Sequence, residues 1–270
     1  MNAGIGTYTF PWAIGVAGFP PARPMDPYLL IDKAAEWKIR KVQIGDNLPL
    51  HSFSEKELDH LFQYACQHSI QLEVGTRGLF RDHILNYLSI SRQLSAPFLR
   101  VVIDDDQYHP GAQEIIKVIR DLLPHIKEVA VPLALENHDR FPAILLRDII
   151  SSTDPEWVGV CLDTANSLGC GESISEIVEQ LAPFTLNLHV KDFTVSRVAT
   201  KMGFVIEGAA AGKGTLDIPW LINELDSFNK CKTATLEIWS NFSNTLNETI
   251  NRESIMAEES INYLKTYTKN

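Results

Sequence analysis

The strongest constraint on the fold is an alternation of short apolar runs with longer amphipathic stretches, repeated eight times along the chain. The apolar runs are rich in β-branched and aliphatic residues, as expected of parallel strands buried on both faces. The intervening stretches predict helices, so strand and helix alternate throughout. The predicted strands are Ile5–Phe10, Lys41–Gly45, Gln71–Gly75, Leu99–Asp104, Pro132–Glu136, Gly159–Asp163, Thr185–Val190 and Thr235–Trp239.

Helix-capping residues mark the start of two intervening stretches. Ser54 is followed three residues later by Glu57, and Ser173 is followed at the same spacing by Glu176. This spacing is that of a capping box, in which the two side chains accept backbone N–H groups that the first helical turn leaves unpaired. We therefore expect helices to begin directly after Ser54 and Ser173.

Eight strand–helix units in 270 residues predict an α/β protein, a single (β/α)8 TIM barrel domain covering residues 1–270. The competing architecture is a doubly wound sheet, which usually has fewer strands and a glycine-rich phosphate-binding turn. The chain has no GxGxxG motif, so we favour the barrel. The longest region without clear structure, Phe193–Asp217, contains four glycines. It is either a lid over the substrate or a flexible surface connection.

The charge balance argues against a nucleic-acid partner. The chain has 24 basic and 34 acidic residues, a formal charge of −10, whereas nucleic-acid phosphates are bound by clustered Lys and Arg. Its four cysteines include no CxxC pair, so neither a disulfide scaffold nor a zinc finger is indicated. We find no signal peptide and no apolar run near the roughly 20 residues of a membrane span. We therefore expect a cytoplasmic protein without a membrane partner.

The last four predicted strands each carry one side chain that can bind a metal ion. These residues are Glu136, Asp163, His189 and Glu237. Because active-site residues of a barrel lie where its strands end, the four should meet at one height. Their neighbours are apolar, so we expect the four side chains to be partly buried.

Buried carboxylates that lie close together repel one another, and a divalent cation between them removes that cost. Three carboxylates and one imidazole suit Mn²⁺, Mg²⁺ or Co²⁺ better than Zn²⁺. The alternative is that each of the four is satisfied separately, by Lys, Arg or backbone donors. Their occurrence on four consecutive strands favours one shared metal ion.

The segments around these residues resemble the xylose isomerase-like superfamily of barrels. They are LALENH, VCLDTAN, LHVKD and TLEIW, and the similarity extends to GIGTYTF and GKGTLDIPWL. The superfamily includes sugar epimerases, hydroxypyruvate isomerase, inosose dehydratase and endonuclease-four-type DNA repair enzymes. The resemblance implies that Glu136, Asp163, His189 and Glu237 hold one divalent metal ion. It also implies that Glu136 and Glu237 are the catalytic acid–base pair on opposite faces of the substrate.

Such a site supports several reactions through one enediolate. A metal ion chelated by a carbonyl and its neighbouring hydroxyl acidifies the C–H bond between them. Returning the proton elsewhere isomerises or epimerises the sugar, whereas the same enediolate can arise by loss of CO₂ or expel a hydroxyl. Our first expectation is a metal-dependent isomerase or epimerase acting on a small sugar, sugar phosphate or sugar acid. The alternative is a lyase, either a decarboxylase or a dehydratase, acting on an oxo sugar acid.

Some residues depart from the pattern of ketose 3-epimerases. Pro142, Asn166 and Val195 stand where those enzymes carry Glu, His and Arg. Asn166 can still hydrogen-bond a substrate hydroxyl, but a ketose 3-epimerase proper is put in doubt. The runs Val42–Leu50 and Tyr8–Trp12 are similar to those of barrels found with sugar-acid decarboxylases, which favours the lyase alternative.

Five further residues are candidates for substrate contact. Lys191 follows the seventh strand and Arg77 follows the third, and cations beside an acidic site would suit an anionic substrate. Each is equally consistent with a surface ion pair. His138, Trp12 and Trp239 lie near strand ends and would wall the substrate pocket or pack at its rim.

Two other functions fit the sequence less well. An abasic-site endonuclease of this superfamily needs extra histidines on the early strands, which here end in Gly45 and Gly75. A barrel that only binds sugars would be needlessly destabilised by its pocket acids. Barrels of this kind are often dimers or tetramers, so a homo-oligomer stays open beside a monomer.

Overall fold

The structure, a computed structural model, describes residues 1–269 and contains a closed barrel of eight parallel strands, which confirms the predicted fold class. The barrel strands in chain order are β1 (Asn2–Gly6), β2 (Lys41–Ile44), β3 (Gln71–Arg77), β4 (Leu99–Val102), β5 (Leu133–Glu136), β6 (Val158–Asp163), β7 (Thr185–Val190) and β10 (Thr233–Leu236). Two further strands, β8 (Phe193–Arg197) and β9 (Phe204–Gly208), pair with each other as an antiparallel hairpin.

Helices separate the barrel strands, as the amphipathic stretches predict. Ser54 and Ser173 cap α3 and α7 in complete capping boxes with Glu57 and Glu176. No helix in residues 1–269 combines the length and apolar character that crossing a bilayer would require. The helices are α1 (Pro11–Ile14), α2 (Pro27–Glu36), α3 (Glu55–Gln67), α4 (Arg81–Gln93), α5 (Ala112–Val129), α6 (Ala143–Ser151), α7 (Ile174–Leu181), α8 (Ile218–Ser227) and α9 (Leu246–Leu264).

The strand order places the predicted metal-binding residues on adjacent strands. Around the barrel, β10 lies beside β7, β7 beside β6, and β6 beside β5. Asp163 on β6 is level with His189 on β7, and Thr235 on β10 is level with the same histidine. Glu237 therefore lies just past the end of β10, at the carboxyl edge of the barrel.

Most predicted strand boundaries differ from the observed ones, and the carboxyl ends of the first and last barrel strands were placed too late. Side-chain hydrogen bonds explain the first of these two differences. The first strand ends at Gly6 because the Thr9 hydroxyl accepts the Gly6 N–H and donates to Leu236 O at 2.5 Å. Local bonds of this kind compete with a strand ladder and bend the chain. The last barrel strand likewise ends before Glu237, and the next backbone N–H, that of Ile238, is donated to Tyr8 O at 2.9 Å.

The Phe193–Asp217 region contains regular structure that its sequence does not indicate, namely the β8–β9 hairpin. The Asp192 carboxylate anchors the turn after it, accepting the N–H groups of Gly212 and Gly214 at 2.9 Å each. A Cβ at Gly214 would lie 2.0 Å from Asp192 Oδ1, so that approach requires glycine. This region is therefore an ordered connection at its base, and a lid role stays a prediction.

A buried glutamate fixes α9 to the segment after β1. Glu253 on α9 is fully buried, and its carboxylate accepts the N–H groups of Trp12 at 2.8 Å and Ala13 at 3.0 Å. Burial raises the pKa of Glu253 to about 7, although these two backbone hydrogen bonds lower it. The folded state therefore holds a proton on Glu253 more tightly than the unfolded chain does.

We predict that Glu253 makes the protein less stable as the pH rises from about 4.5 to about 7. Because the folded state binds the extra proton in that window, the Glu253 contribution to unfolding free energy should fall by about 3 kcal/mol. Glu253→Gln removes this titration. As the pH rises through this window, urea unfolding should therefore show the unfolding free energy of Glu253→Gln increasing by about 3 kcal/mol relative to that of wild type. The exposed Glu258→Gln is the control and should show no such change. Parallel pH profiles for wild type and Glu253→Gln would contradict this assignment.

Candidate active site

The four predicted metal-binding residues do meet at the carboxyl edge of the barrel. None has a relative exposure above 4%, and His189 lies at their centre. Its Nδ1 atom is 3.0 Å from Glu237 Oε1, 3.5 Å from Glu136 Oε2 and 3.8 Å from Asp163 Oδ2. Three carboxylates thus surround one imidazole nitrogen in a buried pocket.

The backbone around Asp163 determines which of its oxygens faces this cluster. Asp163 Oδ1 accepts the N–H groups of Ala165 and Asn166, both at 2.8 Å. Asn137 holds the strand end, since its Oδ1 accepts the Asp163 N–H and its Nδ2 donates to the Asp163 carbonyl. The carboxylate is consequently fixed, with Oδ2 left for the site.

Lys191 is a cation in direct contact with the cluster. Its ammonium lies 2.8 Å from Asp163 Oδ2 and 2.8 Å from Glu237 Oε2, and its side chain is only 16% exposed. Burial lowers the pKa of Lys191, but these two carboxylates outweigh burial and raise it above the usual value. Lys191 therefore stays charged.

A second cation, Arg100 on β4, was missed by the sequence reasoning. It is buried, and its Nε donates to Glu136 Oε2 while its Nη1 donates to Asp46 Oδ1 at 2.5 Å. The signal that could have found it is an arginine within the apolar run LRVV, where a charge needs a buried partner. Arg100 links the carboxylate cluster to the earlier strands through Asp46.

Asp46, which follows β2, is also held by Arg77 and Tyr8. Its Oδ2 accepts from Arg77 Nε at 3.1 Å and from Tyr8 Oη at 3.0 Å. Burial raises the pKa of Asp46, but the charges of Arg100 and Arg77 lower it to about 2. Asp46 is therefore ionised, and Arg77 serves here as an ion-pair partner.

The ionisation of Glu237 and His189 is strongly shaped by their neighbours. Burial raises the pKa of Glu237, but His189 and Lys191 reverse this and hold it well below its usual range. Burial lowers the pKa of His189, whereas Glu237 and Glu136 raise it above its usual value. Glu237 is thus a carboxylate, and a positive charge is favoured where the His189 Nδ1 atom faces it.

These residues fit a bound divalent metal ion. Ligand atoms of Asp163, His189 and Glu237 all lie within 4.8 Å of one another. Within residues 1–269, Asp163 Oδ2 and His189 Nδ1 are buried atoms without a hydrogen bond of good geometry, and their nearest charged neighbours are Lys191 Nζ at 2.8 Å and Glu237 Oε1 at 3.0 Å. A divalent ion would give both atoms a ligand bond that these neighbours do not provide. The oxygen-rich donor set is that of Mg²⁺, Mn²⁺ or Co²⁺ sites.

A cleft of about 550 Å³ opens above the cluster, and four predicted site residues line it: Asn166, Lys191, Glu237 and Trp239. Asn166 Nδ2 also donates to Glu136 Oε1 at 2.8 Å, which connects the cleft wall to the buried cluster. Ile206 of the β8–β9 hairpin also lines the cleft.

The other three predicted substrate contacts are not among the residues that line this cleft. Arg77 lines a separate hollow with Phe80 and Tyr108. His138 contacts Asp139, with 2.8 Å between Nδ1 and Oδ2. Trp12 donates from Nε1 to the Ser240 carbonyl at 2.9 Å, beside the cleft-lining Pro11. Substrate contact by these three residues stays a prediction.

The sequence matches the family model described as xylose isomerase-like TIM barrel over residues 64–267. This match covers most of the chain, including β4 to β7, β10 and all four clustered residues. The chain belongs to the xylose isomerase-like TIM barrel family. Its members share the barrel but differ in their reactions, so family membership alone does not name the substrate.

Within the xylose isomerase-like family, the chain is 30% identical to the 3-oxo-isoapionate decarboxylase of Pectobacterium atrosepticum, over 100% of this chain and 96% of that protein. The D-psicose 3-epimerase of Clostridium cellulolyticum H10, solved with D-tagatose, has a TM-score of 0.74 at 15% identity, covering 99% and 98% of the two chains. A Mycobacterium smegmatis xylose isomerase-like barrel in complex with magnesium has a TM-score of 0.69 at 10% identity, covering 97% of each.

We predict that Arg100→Met strongly destabilises the metal-free protein. Removing this buried cation deprives the Glu136 and Asp46 carboxylates of an ion-pair partner, which should cost about 3–5 kcal/mol of unfolding free energy. The matched control is Arg140→Met, since Arg140 pairs with Asp104 while 42% exposed. That change should cost less than about 1 kcal/mol. Urea unfolding in EDTA measures both, and equal losses would show that Arg100 does not neutralise the cluster.

Proposed function

We propose that this protein is a divalent-metal-dependent lyase that decarboxylates a small 3-oxo sugar acid. This reverses the order of the two sequence-based expectations, in which an isomerase or epimerase came first. The family supports an enzyme acting on a small carbohydrate-like substrate, and the choice of reaction depends on the cleft and on the full-length relative.

The observation that carries the proposal is Lys191. Among residues 1–269 it is the one cationic side chain that lines the cleft, and its ammonium lies directly beside the buried carboxylates. A neutral sugar would have no group to pair with this charge, whereas a sugar acid presents a carboxylate that can. The similarity to a decarboxylase over almost the full length of both chains supports the same choice.

Glu136, Asp163, His189 and Glu237 are the residues that would hold the metal ion. When bound, a divalent ion of this kind supplies positive charge that stabilises negative charge developing on the substrate oxygen. Four carboxylates at the site, those of the three acidic ligands and Asp46, face three cations, Arg77, Arg100 and Lys191. Counted with His189 neutral, as a metal ligand must be, this excess of negative charge further supports a bound cation.

The side chains of the cleft can then orient a 3-oxo acid for loss of CO₂. Lys191 pairs with the substrate carboxylate and Asn166 hydrogen-bonds a hydroxyl. The bond between the carboxyl carbon and C2 breaks, and its electron pair moves toward the 3-oxo oxygen. C2 then takes up one proton. Tyr8 lines the cleft, and burial followed by the charge of Asp46 raises its pKa, so its hydroxyl holds a proton there.

Isomerisation or epimerisation is the second candidate, favoured by the ionised state of Glu237. Because its pKa is held low, Glu237 is ionised on the cleft wall and has a free lone pair to accept a proton, and Glu136, which Asn166 hydrogen-bonds, is its partner. The similarity to epimerases in fold is compatible with this chemistry. It requires C–H exchange without loss of carbon, which separates it from the first proposal.

The first test is the reaction itself. Protein loaded with Mn²⁺ should release CO₂ from a 3-oxo sugar acid, and treatment with EDTA should abolish turnover until Mn²⁺, Mg²⁺ or Co²⁺ is restored. Proton NMR in D₂O on ketoses and sugar phosphates gives the comparison. Deuterium incorporation into a ketose without CO₂ release from any oxo acid would favour the isomerase, and full activity after exhaustive chelation would exclude metal dependence.

The second test concerns Lys191. We predict that Lys191→Met lowers kcat/KM for the oxo acid on the order of 100-fold, because the substrate carboxylate loses a desolvated partner. The control is Lys213→Met, since Lys213 is 63% exposed and pairs with Glu259 on the surface. Thermal unfolding of the metal-loaded variants checks that both fold. An equal effect of Lys191→Met on neutral ketoses would show that the lysine does not recognise the acid group.

A further inference from the structure

A layer of buried polar side chains fills the barrel directly beneath the carboxylate cluster. Gln43 on β2, Glu73 on β3 and Asn187 on β7 are each at most 4% exposed. They are linked to one another, because Gln43 Nε2 donates to Asn187 Oδ1 at 3.0 Å and lies 3.4 Å from Glu73 Oε2. Their link to the site above is His189, whose Nε2 is 2.7 Å from Gln43 Oε1.

The orientation of the Asn187 amide is determined by the backbone. Its Nδ2 is 3.2 Å from the carbonyl oxygen of Thr233 and 3.1 Å from Thr235 Oγ1. A backbone carbonyl can only accept a hydrogen bond, so the amide nitrogen must face Thr233. Asn187 Oδ1 therefore points the other way, toward Gln43 and toward the Cys161 thiol at 3.2 Å.

The orientation of Gln43 follows from that of Asn187. Because Asn187 presents an oxygen, Gln43 must present its Nε2 to it, and the Glu73 carboxyl lies on the same side. The opposite orientation would place two amide oxygens against each other in a buried layer, leaving both without a donor. Gln43 Oε1 is consequently turned toward His189.

An oxygen at this position selects one form of the imidazole. Gln43 Oε1 can only accept, so His189 Nε2 must carry a hydrogen. The other ring nitrogen, Nδ1, is the one that faces Glu237, Glu136 and Asp163. A hydrogen bond to one imidazole nitrogen commonly determines which nitrogen binds a metal ion.

We infer that Gln43 is a positioning residue that keeps the hydrogen of His189 on Nε2 and directs Nδ1 to the metal ion, with its own orientation set by Asn187 and the Thr233 carbonyl. This inference rests on the metal site of the proposed function but not on the identity of the substrate. The orientation of the His189 ring is thereby determined by the backbone of β10, through the side-chain amides of Asn187 and Gln43.

Three variants separate this role from packing. Gln43→Met keeps the side-chain length but removes the acceptor, and should weaken Mn²⁺ binding about 10- to 100-fold. Gln43→Glu restores an acceptor and, when protonated, a donor to Asn187, and should recover most of that affinity. Thr235→Val removes a buried hydrogen bond of the same layer, but the Thr233 carbonyl still orients Asn187, so Mn²⁺ affinity should stay near that of wild type.

Mn²⁺ affinity is measured by competition with a chelator, and ¹⁵N NMR of the His189 ring provides a readout that does not depend on turnover. In wild type, Nε2 should carry a hydrogen in both the metal-free and the Zn²⁺-loaded protein, and its proton signal should move upfield in Gln43→Met. Equal Mn²⁺ affinities for Gln43→Met and Thr235→Val, or an unprotonated Nε2 in wild type, would overturn the inference.

The same measurements distinguish failure of the inference from failure of the proposed function. A wild-type protein that binds Mn²⁺ through this arrangement but releases no CO₂ from oxo acids would retain the inference and lose the decarboxylase. A wild-type protein that decarboxylates an oxo acid while Gln43→Met binds Mn²⁺ normally would retain the function and lose the inference. Metal-free NMR tests the Gln43–His189 hydrogen bond even if wild type binds no Mn²⁺.

Discussion

The mutual repulsion of three buried carboxylates around one imidazole is the constraint on which the rest of this site depends. Glu136, Asp163 and Glu237 all lie within 3.8 Å of His189 Nδ1, with almost no access to water. Such a cluster is stable only if positive charge is placed among its members. This need to compensate negative charge explains the cations of the site and its fit to a divalent ion.

Two cations neutralise the cluster, and they differ in whether they can also reach a substrate. Arg100 is buried and fully engaged with Glu136 and Asp46, so it neutralises charge from below without reaching the cleft. Lys191 lies at the cleft wall, where its charge can be shared between the cluster and a substrate. This asymmetry between an internal and an accessible cation is the basis on which we propose an acidic substrate rather than a neutral sugar.

Because the same barrel supports both lyases and isomerases, a few side chains distinguish between the two reactions. Both reactions use negative charge that develops beside the same cluster, and both occur among proteins similar to this chain. They differ in whether a carboxylate is held for departure or a C–H proton is removed and returned. Pro142 and Val195 lack the polar groups that the resemblance to ketose 3-epimerases would require, whereas Lys191 provides a group for a carboxylate.

The sequence by itself determined the barrel and the cluster, because both follow from patterns of residues that are close together in the chain. The alternation of strand and helix predicts the fold, and one metal-competent residue at each late strand end predicts Glu136, Asp163, His189 and Glu237 as neighbours. Only the tertiary structure decided which groups complete the site. Arg100 pairs with Glu136 of the adjacent strand, 36 residues away, whereas Gln43 reaches Asn187 and His189 on a non-adjacent strand, 144 and 146 residues away. Pairing over such separations depends on how the barrel closes, and no local pattern records it.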